Sequence, residues 1–201
     1  MKAIDKPQDP ETTKYIKENT KWEDPNDEEW ALMEDITDIM TSMKWGVKKR
    51  KGDNSRKNVF SDGVDKIEAV ILGRVKHYYK KHPTNEGGLY DAAANRKYPE
   101  LHEKLNALMK LHNPDFTYNS IQLNKNVITN KHFDRGNVGM SYCLGLGDYD
   151  EGGIDGLVGT EWVHYDNNYR WLKYNGNRQL HRTHPHTRGT RFAAIFFTHK
   201  H

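Results

Sequence analysis

Cysteine and long apolar runs are almost absent from this sequence. Its 201 residues contain one cysteine, Cys143, which excludes an internal disulfide and, within the apolar stretch MSYCLGLG, predicts a buried strand residue. No apolar run approaches the roughly 18 residues of a membrane span, and the start MKAIDKPQDPETTKY lacks the apolar core of a signal peptide. We therefore expect an intracellular protein, in the cytoplasm or the nucleus, without a membrane partner.

A large excess of charge of either sign is also missing. The net charge is +3, which permits a nucleic-acid partner without requiring one. The positive charge is concentrated in residues 44–57, KWGVKKRKGDNSRK, whose composition is typical of a loop. Such a run is more often a solvated loop than a binding surface, and it also resembles a short nuclear-import signal.

Length and composition predict one folded domain behind a flexible arm. Only 35% of the residues are hydrophobic, but aromatic residues make up 11% and can supply much of the buried area. Residues 1 to about 25 contain three prolines among polar residues without a period, which predicts a flexible N-terminal arm. We expect residues 26–201 to form a single domain, and the protein to be a monomer.

The first half of this domain predicts helices around one strand. Asn26 can cap a helix, and apolar residues follow it at helical spacing, namely Met33, Ile36, Met40 and Met43. Residues 66–79 are rich in Val, Ile and Tyr, which favours a strand. A second helix is predicted over residues 98–112, with an apolar side formed by Leu101, Leu105, Leu108 and Leu111. Helical support is thus expected over residues 26–112.

The second half changes to short β-prone runs that are separated by turns. This pattern of short β-prone runs and turns begins at Phe116 and continues to the end of the chain. Several short strands at such spacing predict an antiparallel sandwich or barrel. The expected fold class is therefore α+β and mainly β, with helices packed outside a catalytic core of about residues 116–201.

Two His-x-Asp tripeptides occur, and one of them is a candidate metal site. With 11 histidines and 16 aspartates in the chain, random placement gives about one such tripeptide. In an extended segment, residues i and i+2 point to the same face, so His132 and Asp134 can bind one ion. His181 lies 47 residues beyond Asp134, which leaves room for several strands before this third ligand. The pair His164 and Asp166 leaves too little room and is rejected.

An arginine ten residues after His181 completes the candidate site. Pro185 and Gly189 mark a turn between His181 and Arg191, so the flanks are expected to pair as an antiparallel hairpin with both side chains on one face. Two imidazoles and one carboxylate on one side of an octahedral ion form the facial triad of non-heme Fe(II) oxygenases. A guanidinium beside them can bind the far carboxylate of 2-oxoglutarate with two hydrogen bonds.

Neighbouring residues leave two alternatives open at this point. His184 and His186 compete with His181, which we prefer because it precedes the turn while the other two would lie in it. Arg188 is the next candidate for the anion-binding position if Arg191 does not occupy it.

These motifs resemble those of the 2-oxoglutarate- and Fe(II)-dependent dioxygenases. The resemblance runs from about Tyr118 to Thr198 and is carried by YNSIQLNKN, HFDRGNVGMSYCLGLGDYDEGG and HRTHPHTRGTRFAAIFF. The stretch from Arg135 to Gly153 is most similar to the TET/JBP branch, which oxidises the methyl group of thymine or 5-methylcytosine. Residues 1 to about 60 match no family. The resemblance implies a double-stranded β-helix of the jelly-roll, cupin-like kind, with Fe(II) and 2-oxoglutarate as cofactors.

The resemblance also implies roles for individual residues. His132, Asp134 and His181 become the iron ligands and hence the catalytic residues, and Arg191 becomes the 2-oxoglutarate anchor.

Further residues around the cofactor follow from the same comparison. Many relatives carry a serine two residues after the anchoring arginine, where this chain has Ala193, so a hydroxyl of Tyr142 or Tyr118 is expected to replace it. Asn137 occupies a position that lies close to the target base in some relatives, and its amide can both donate and accept hydrogen bonds. An equally good interpretation is that Asn137 shapes the turn together with Gly136.

The implied activity is hydroxylation of the 5-methyl group of a pyrimidine, 5-methylcytosine or thymine, in DNA, with O₂ as co-substrate. The base must be flipped out or presented single-stranded, and basic residues in 44–57 and 74–82 are candidate phosphate contacts. Two alternatives are hydroxylation of a protein side chain or small molecule, and a non-catalytic nucleic-acid-binding β-barrel. A collagen-type prolyl hydroxylase usually has lysine where Arg191 stands. The compact size would suit a phage or viral enzyme acting in its host cell.

Overall fold

The structure is a computed structural model that describes residues 7–49, 63–76 and 88–200. The helices of these ranges are α1 (Pro10–Asn19), α2 (Asp27–Ser42), α3 (Ala93–Lys97) and α4 (Pro99–His112). The strands of the first half are β1 (Lys21–Glu23), β2 (Val47–Lys49), β3 (Lys66–Lys76) and β4 (Leu89–Asp91). Those of the second half are β5 (Ser120–Lys125), β6 (Asn137–Leu146), β7 (Tyr149–Glu151), β8 (Ile154–Val158), β9 (Glu161–Tyr165), β10 (Trp171–Tyr174), β11 (His181–Thr183), β12 (His186–Gly189) and β13 (Phe192–His199).

Two antiparallel sheets form the jelly-roll core that the β-rich second half predicts. The major sheet has the strand order β1-β10-β6-β13-β5-β3-β2, with β4 attached to β3. The minor sheet has the order β11-β8-β9, and β12 pairs separately with β7. From β6 onward the chain passes repeatedly between the major sheet, which contains β6, β10 and β13, and the two smaller sheets, which is the arrangement of a double-stranded β-helix. The predicted fold class is confirmed.

The major sheet presents different chemistry on its two faces. Successive side chains of a strand point to opposite faces, so the registers of β5, β6 and β13 decide what each face receives. On one face, Ala194 lies opposite Leu123 and Leu144 and packs into the main core. On the other face, Ala193 lies opposite Asn124 and Gly145, and this face looks into the cavity described below.

Helices α2 and α4 cover the core face of the major sheet, as predicted from their apolar spacing. Asn26 caps α2: it accepts a hydrogen bond from the Glu29 backbone N–H at 2.9 Å, and the Glu29 carboxylate accepts from the Asn26 N–H at 2.8 Å. The buried residues of the two helices include Met33, Ile36, Met40, Leu101, Leu105, Leu108 and Met109. Leu111 was expected on the buried side but is 44% exposed, because the covered stripe of α4 passes through Met109 instead.

The Glu29 side chain joins α2 to the sheet through buried polar contacts. Its Oε1 accepts a hydrogen bond from Nε1 of Trp171 on β10 at 3.0 Å, and Nδ1 of His112 at the end of α4 lies 2.8 Å from the same oxygen. The His112 ring stacks on Trp171 with the ring centroids 4.5 Å apart. One carboxylate therefore ties together α2, α4 and the major sheet.

The N-terminal arm differs from the expectation over residues 7–25. The Asp9 carboxylate accepts from the Thr12 backbone N–H at 2.8 Å and caps α1, which has Pro10 in its first turn and buries Ile16. Strand β1 then extends the edge of the major sheet by pairing with β10. The polar composition predicted flexibility, but the Asp9 cap stabilises α1, and pairing with β10 holds β1 at the edge of the major sheet.

The basic stretch is partly strand and partly beyond what the structure describes. Residues 47–49 form β2, which pairs with β3, so this part of the expected loop is an edge strand. Residues 50–57 of that stretch lie outside the described residues, as do residues 77–82. The predicted strand over 66–79 is confirmed as far as Lys76. Within the described residues, every helix is too short or too polar to cross a bilayer.

Candidate metal centre

His132 and His181 are brought together by a pair of backbone hydrogen bonds. The N–H of His132 donates to the His181 carbonyl at 2.9 Å, and the N–H of His181 donates to the His132 carbonyl at 3.1 Å. Asp134, two residues further on, is held by its own N–H, which donates to the Gly176 carbonyl at 2.8 Å. The extended segment before β6 thus lies alongside the start of β11.

The three side chains place one ligand atom each in a small volume. Nε2 of His132 lies 3.5 Å from Oδ1 of Asp134, and Nε2 of His181 lies 3.5 Å from Oδ2. All three ligand atoms lie within 4.8 Å of one another. The sequence prediction named these three residues, and the structure brings them together.

The second nitrogen of each imidazole is held by the backbone. Nδ1 of His132 lies 2.7 Å from the Asn130 carbonyl, and Nδ1 of His181 lies 2.9 Å from the Gln179 carbonyl. A carbonyl can only accept, so each Nδ1 carries a proton and each Nε2 points at Asp134, to which it donates when the ring is protonated and beside which it can bind a metal ion when the ring is neutral. Metal-binding histidines are usually oriented by such contacts. The chain therefore presents two imidazoles in the tautomer that binds a metal ion.

Asp134 supplies the negative charge of the site. Burial works to raise the pKa of its carboxyl, but hydrogen bonds from His132 and His181 outweigh burial and lower the pKa. In the same pair, burial works to lower the pKa of His181, and Asp134 raises it. Two neutral nitrogens and one carboxylate oxygen are the donor set of the 2-His-1-carboxylate facial triad, which binds Fe(II) with positions left open.

Gly176 leaves room for the carboxylate. A Cβ atom at this position would lie 2.7 Å from Oδ2 of Asp134 and 3.2 Å from Cε1 of His181. Any larger residue would therefore push against two of the three candidate ligands. The sequence offered no signal for this role, because Gly176 lies in a turn far from the His-x-Asp motif along the chain.

Arg191 lies buried on the wall of the same cavity. Arg191 is only 2% exposed. Its Nε has no hydrogen-bond partner among the described residues. One terminal nitrogen lies 3.5 Å from the Gly153 carbonyl. Among the described residues, no carboxylate forms an ion pair with it. A buried guanidinium without a counter-charge is costly, and a bound anion would supply that charge.

The cavity encloses about 690 Å³ between the two sheets. One side of the cavity is the face of the major sheet that carries Ala193, and the other side is the minor sheet. The residues that line it include Asn124, Cys143, Ile154, Tyr174, Thr183 and Ile195. His132, Asp134, His181 and Arg191 all line it. Cys143 is fully buried as predicted, and burial raises the pKa of its thiol to about 11. Its additional position on the cavity wall was not predicted.

The expected hairpin between His181 and Arg191 is wrong. Strand β11 pairs with β8, whereas β12 pairs with β7 and β13 pairs with β5 and β6. The two residues come together because strands of different sheets enclose one cavity. Arg188, the alternative anchor, is exposed on β12 and pairs with Asp150.

The expected tyrosine contacts to the cofactor are also wrong. Tyr142 and Tyr118 lie on the core face of the major sheet, against Phe196 and away from the cavity. The Tyr142 hydroxyl accepts from Asn113 at 3.1 Å, and the Tyr118 hydroxyl donates to Asn106 at 2.6 Å. Because Cys143 faces the cavity, its neighbour Tyr142 must face the other way.

The phenol beside Arg191 is Tyr149 on β7. The Arg191 Cζ atom lies 5.8 Å from the centre of its ring. The Tyr149 hydroxyl is buried without a hydrogen-bond partner among the described residues, and burial raises its pKa to about 12. It is therefore a protonated donor next to the guanidinium, the role for which the sequence analysis expected Tyr142 or Tyr118.

Asn137 closes a turn and also lies on the cavity wall, while its predicted contact with a base stays a prediction. Its backbone N–H donates to the Asp134 carbonyl at 2.9 Å and closes the turn after the metal motif. Its side chain lines the cavity beside the triad. The rejected residue His164 lies outside this cavity, and the two alternatives to His181, His184 and His186, do not join the triad.

Comparisons with known proteins agree on the fold. At the level of sequence, neither a protein-family model nor a curated protein matches the chain. Among solved structures, the chain is similar to NgTET1 in complex with 5mC DNA, at 15% identity and a TM-score of 0.53, covering 90% of this chain and 72% of that one. It is also similar to an oxidoreductase of the 2OG-Fe(II) oxygenase family from Burkholderia pseudomallei, at 11% identity and a TM-score of 0.55, covering 95% and 90%. At these identities the likeness establishes a shared double-stranded β-helix fold.

Proposed function

We propose that this protein is a 2-oxoglutarate- and Fe(II)-dependent dioxygenase. The observation that carries the proposal is the pairing of a complete His132, Asp134 and His181 triad with the uncompensated cation of Arg191 in one cavity. The triad suits Fe(II), and the arginine suits the second carboxylate of a dicarboxylic 2-oxo acid. The solved structures with this fold include a member of the 2OG-Fe(II) oxygenase family, which is consistent with the proposal.

Each of these residues has a definite task in that reaction. His132, Asp134 and His181 would hold Fe(II) on one side and leave three adjacent positions for 2-oxoglutarate and O₂. When bound, the iron and 2-oxoglutarate supply the O₂ activation that hydroxylates a C–H bond, with release of succinate and CO₂. Arg191 would orient the oxo acid, and the Tyr149 ring would keep the Arg191 guanidinium in place from its buried side. The apolar wall that includes Ile154 and Ile195 limits the access of water.

We infer that the substrate is a methylated pyrimidine base in DNA. Three features support this choice. The cavity is lined near the triad by the Asn137 amide and by Arg135, which offer a hydrogen-bonding group for a base edge and a cation for a phosphate. The net charge of +3 permits a polyanionic partner. NgTET1, which shares the fold, is described in complex with 5mC DNA.

A base inside a duplex cannot reach a cavity of this kind. The substrate base must therefore be flipped out or lie in a single strand. Its methyl group would then face the open side of the triad, and its hydrogen-bonding edge would face Asn137. Asn137 does not select between 5-methylcytosine and thymine, because a primary amide can pair with either base.

Nucleoside mass spectrometry, together with a succinate assay, tests both the proposed dioxygenase activity and the proposed DNA substrate. The purified protein is incubated with Fe(II), ascorbate and 2-oxoglutarate, together with methylated DNA, unmethylated DNA or no DNA, and succinate is measured in parallel. We expect hydroxymethylated bases and DNA-stimulated succinate, both lost in Asp134→Ala. Succinate without hydroxymethylated bases and without DNA stimulation would reject the DNA substrate and favour a protein side chain or a small molecule. No succinate from an iron-loaded protein would reject the enzyme and favour a binding β-barrel.

A further inference from the structure

The minor sheet carries a second cluster of metal-ligand side chains on its outer face. Asp155 lies on the central strand β8, and its register partners are Arg182 on β11 and His164 on β9. His184 follows the end of β11, where its N–H donates to the Gly153 carbonyl at 3.0 Å. Because strand residues alternate between faces, Arg182 points away from the cavity into which His181 points. The cluster is therefore back to back with the candidate iron site.

Two imidazoles converge on a single carboxylate oxygen in this cluster. Nδ1 of His164 and Nδ1 of His184 each lie 3.0 Å from Oδ1 of Asp155. The three ligand atoms lie within 4.8 Å of one another. An ion about 2.0–2.1 Å from each of its donors keeps neighbouring donors roughly 3 to 3.5 Å apart. The two Nδ1–Oδ1 distances of 3.0 Å fall in this range. Small rotations of the exposed imidazoles would then direct all three donors at one ion.

Arg182 fixes the carboxylate for this purpose. Its Nε donates to Oδ2 of Asp155 at 2.9 Å, and its guanidinium lies over the Trp162 ring, with 4.7 Å between Cζ and the ring centre. Arg182 thus holds Oδ2, which also lies 3.2 Å from Nδ1 of His184, while Oδ1 faces both histidines. The Asp155 side chain is 6% exposed, whereas those of His164 and His184 are 45% and 38% exposed. An ion from solvent thus has access on the histidine side, and the buried carboxylate is already oriented.

We propose that Asp155, His164 and His184 form a second metal site, which binds a borderline divalent transition-metal ion such as Zn²⁺. Two imidazole nitrogens and one oxygen suit Zn²⁺ with water as the fourth ligand. They do not suit Mg²⁺ or Ca²⁺, which prefer oxygen ligands throughout. The ion cross-links β9, β8 and the end of β11, and so it stabilises the strand that carries His181.

Zinc titration in the absence of the iron triad tests this site. The variant His132→Ala/Asp134→Ala removes two of the three cavity ligands, and isothermal titration calorimetry measures Zn²⁺ binding to it. We expect one equivalent to bind and the melting temperature to rise. Adding His164→Ala and His184→Ala should weaken binding at least roughly 100-fold. Adding His102→Ala instead, a histidine of α4 outside both clusters, should leave binding unchanged.

Two results would overturn the proposal. One is the absence of Zn²⁺ binding in the His132→Ala/Asp134→Ala variant. The other is binding that persists after both His164 and His184 are replaced. Both histidines are partly exposed, so the alanine variants are expected to fold, and His164→Gln with His184→Gln gives the same comparison if they do not. The test does not depend on dioxygenase activity, because the background variant lacks the proposed iron site.

Discussion

His132 and His181 are joined by two reciprocal backbone hydrogen bonds, and their ring centroids lie 4.4 Å apart. The backbone thus sets the distance between the two candidate metal-binding imidazoles. Asp134 is held by one backbone hydrogen bond, from its N–H to the Gly176 carbonyl. Preorganised ligands lose little conformational freedom on binding, so the chain is suited to hold an ion with three side chains only.

Binding of a divalent ion should stabilise the native protein through this triad. At a free ion concentration of 100 times Kd, the free energy of unfolding should rise by about 2.7 kcal/mol, which is roughly 5 to 10 °C in melting temperature. Differential scanning fluorimetry with Mn²⁺ as a redox-stable substitute for Fe(II) measures the shift. In the background His164→Ala/His184→Ala, which removes the second proposed site, Asp134→Ala should abolish it. Asp166→Ala changes the aspartate of the other His-x-Asp tripeptide and should preserve it; an equal loss in both variants would contradict the assignment.

Gly176→Ala should weaken metal binding without unfolding the protein. The new Cβ would lie 2.7 Å from Oδ2 of Asp134, so the carboxylate must rotate away from the position that faces both imidazoles. We expect metal affinity to fall roughly 10- to 100-fold, as when the support of a ligand is disturbed. Equilibrium dialysis with Mn²⁺ measures it.

The matched control for this variant is Gly136→Ala. A Cβ there would lie 3.5 Å from the His199 ring, which is ordinary contact, although the residue is close to the same triad. If both variants bind Mn²⁺ as tightly as the parent protein, Gly176 has no role in positioning Asp134.

Arg191→Met should raise the KM for 2-oxoglutarate and change kcat much less. A hydrogen bond to a charged group contributes about 1.5 to 3 kcal/mol, so we expect a rise of roughly 10- to 150-fold, measured by succinate production. Arg191→Lys keeps the charge but not the two-pronged geometry and should fall in between. Arg188→Met removes an exposed cation that already pairs with Asp150 and should leave KM unchanged. A larger rise in KM for Arg188→Met than for Arg191→Met would show that Arg191 is not the anchor.

The sequence was sufficient for the parts of the site that depend on local geometry. His132 and Asp134 share a face because of a two-residue spacing in an extended segment, and this relation does not depend on the rest of the fold. The helix that begins after Asn26 was likewise predictable, because its cap lies within four residues. His181 and Arg191 were chosen from their spacing along the chain and an expected hairpin, and the structure places both in the cavity although that hairpin does not form.

The sequence was insufficient wherever the partner strand decides the outcome. The flanks of residues 181–191 look like a hairpin, but their strands pair with β8, β7, β5 and β6, which lie far away along the chain. Tyr142 was assigned to the cofactor without knowing which face it occupies. A shift of one position moves a side chain to the other face of a sheet, and here it separates Tyr142 from Cys143. The role of Gly176 depends on a contact that only the folded chain makes.

Replacement of the two misassigned tyrosines should leave 2-oxoglutarate binding intact. Tyr142→Phe and Tyr118→Phe each remove a hydroxyl on the core face, where it bonds Asn113 or Asn106. We expect each to lower the free energy of unfolding by about 1 kcal/mol with KM unchanged. Tyr149→Phe removes the hydroxyl beside Arg191 and should raise KM instead. Urea denaturation and succinate kinetics on the same three proteins separate these effects, and a higher KM for Tyr142→Phe would contradict the orientation of β6.

Glu29→Ala should be among the most destabilising single changes in the helical layer. The carboxylate is buried, and it accepts hydrogen bonds from Trp171 and from the Asn26 backbone while contacting His112. Its removal leaves the Trp171 indole and the Asn26 N–H without their acceptor and leaves His112 paired only with Glu23, and the loss of a buried charged contact typically costs about 3–5 kcal/mol. Glu28→Ala, one residue earlier in the same helical turn, removes an exposed carboxylate and should cost less than about 1 kcal/mol. Urea denaturation compares the two. Because α2 does not contribute to the cavity, metal affinity should stay unchanged in the folded fraction of Glu29→Ala, and a loss of metal binding equal to that of Asp134→Ala would show that the helical layer also shapes the site.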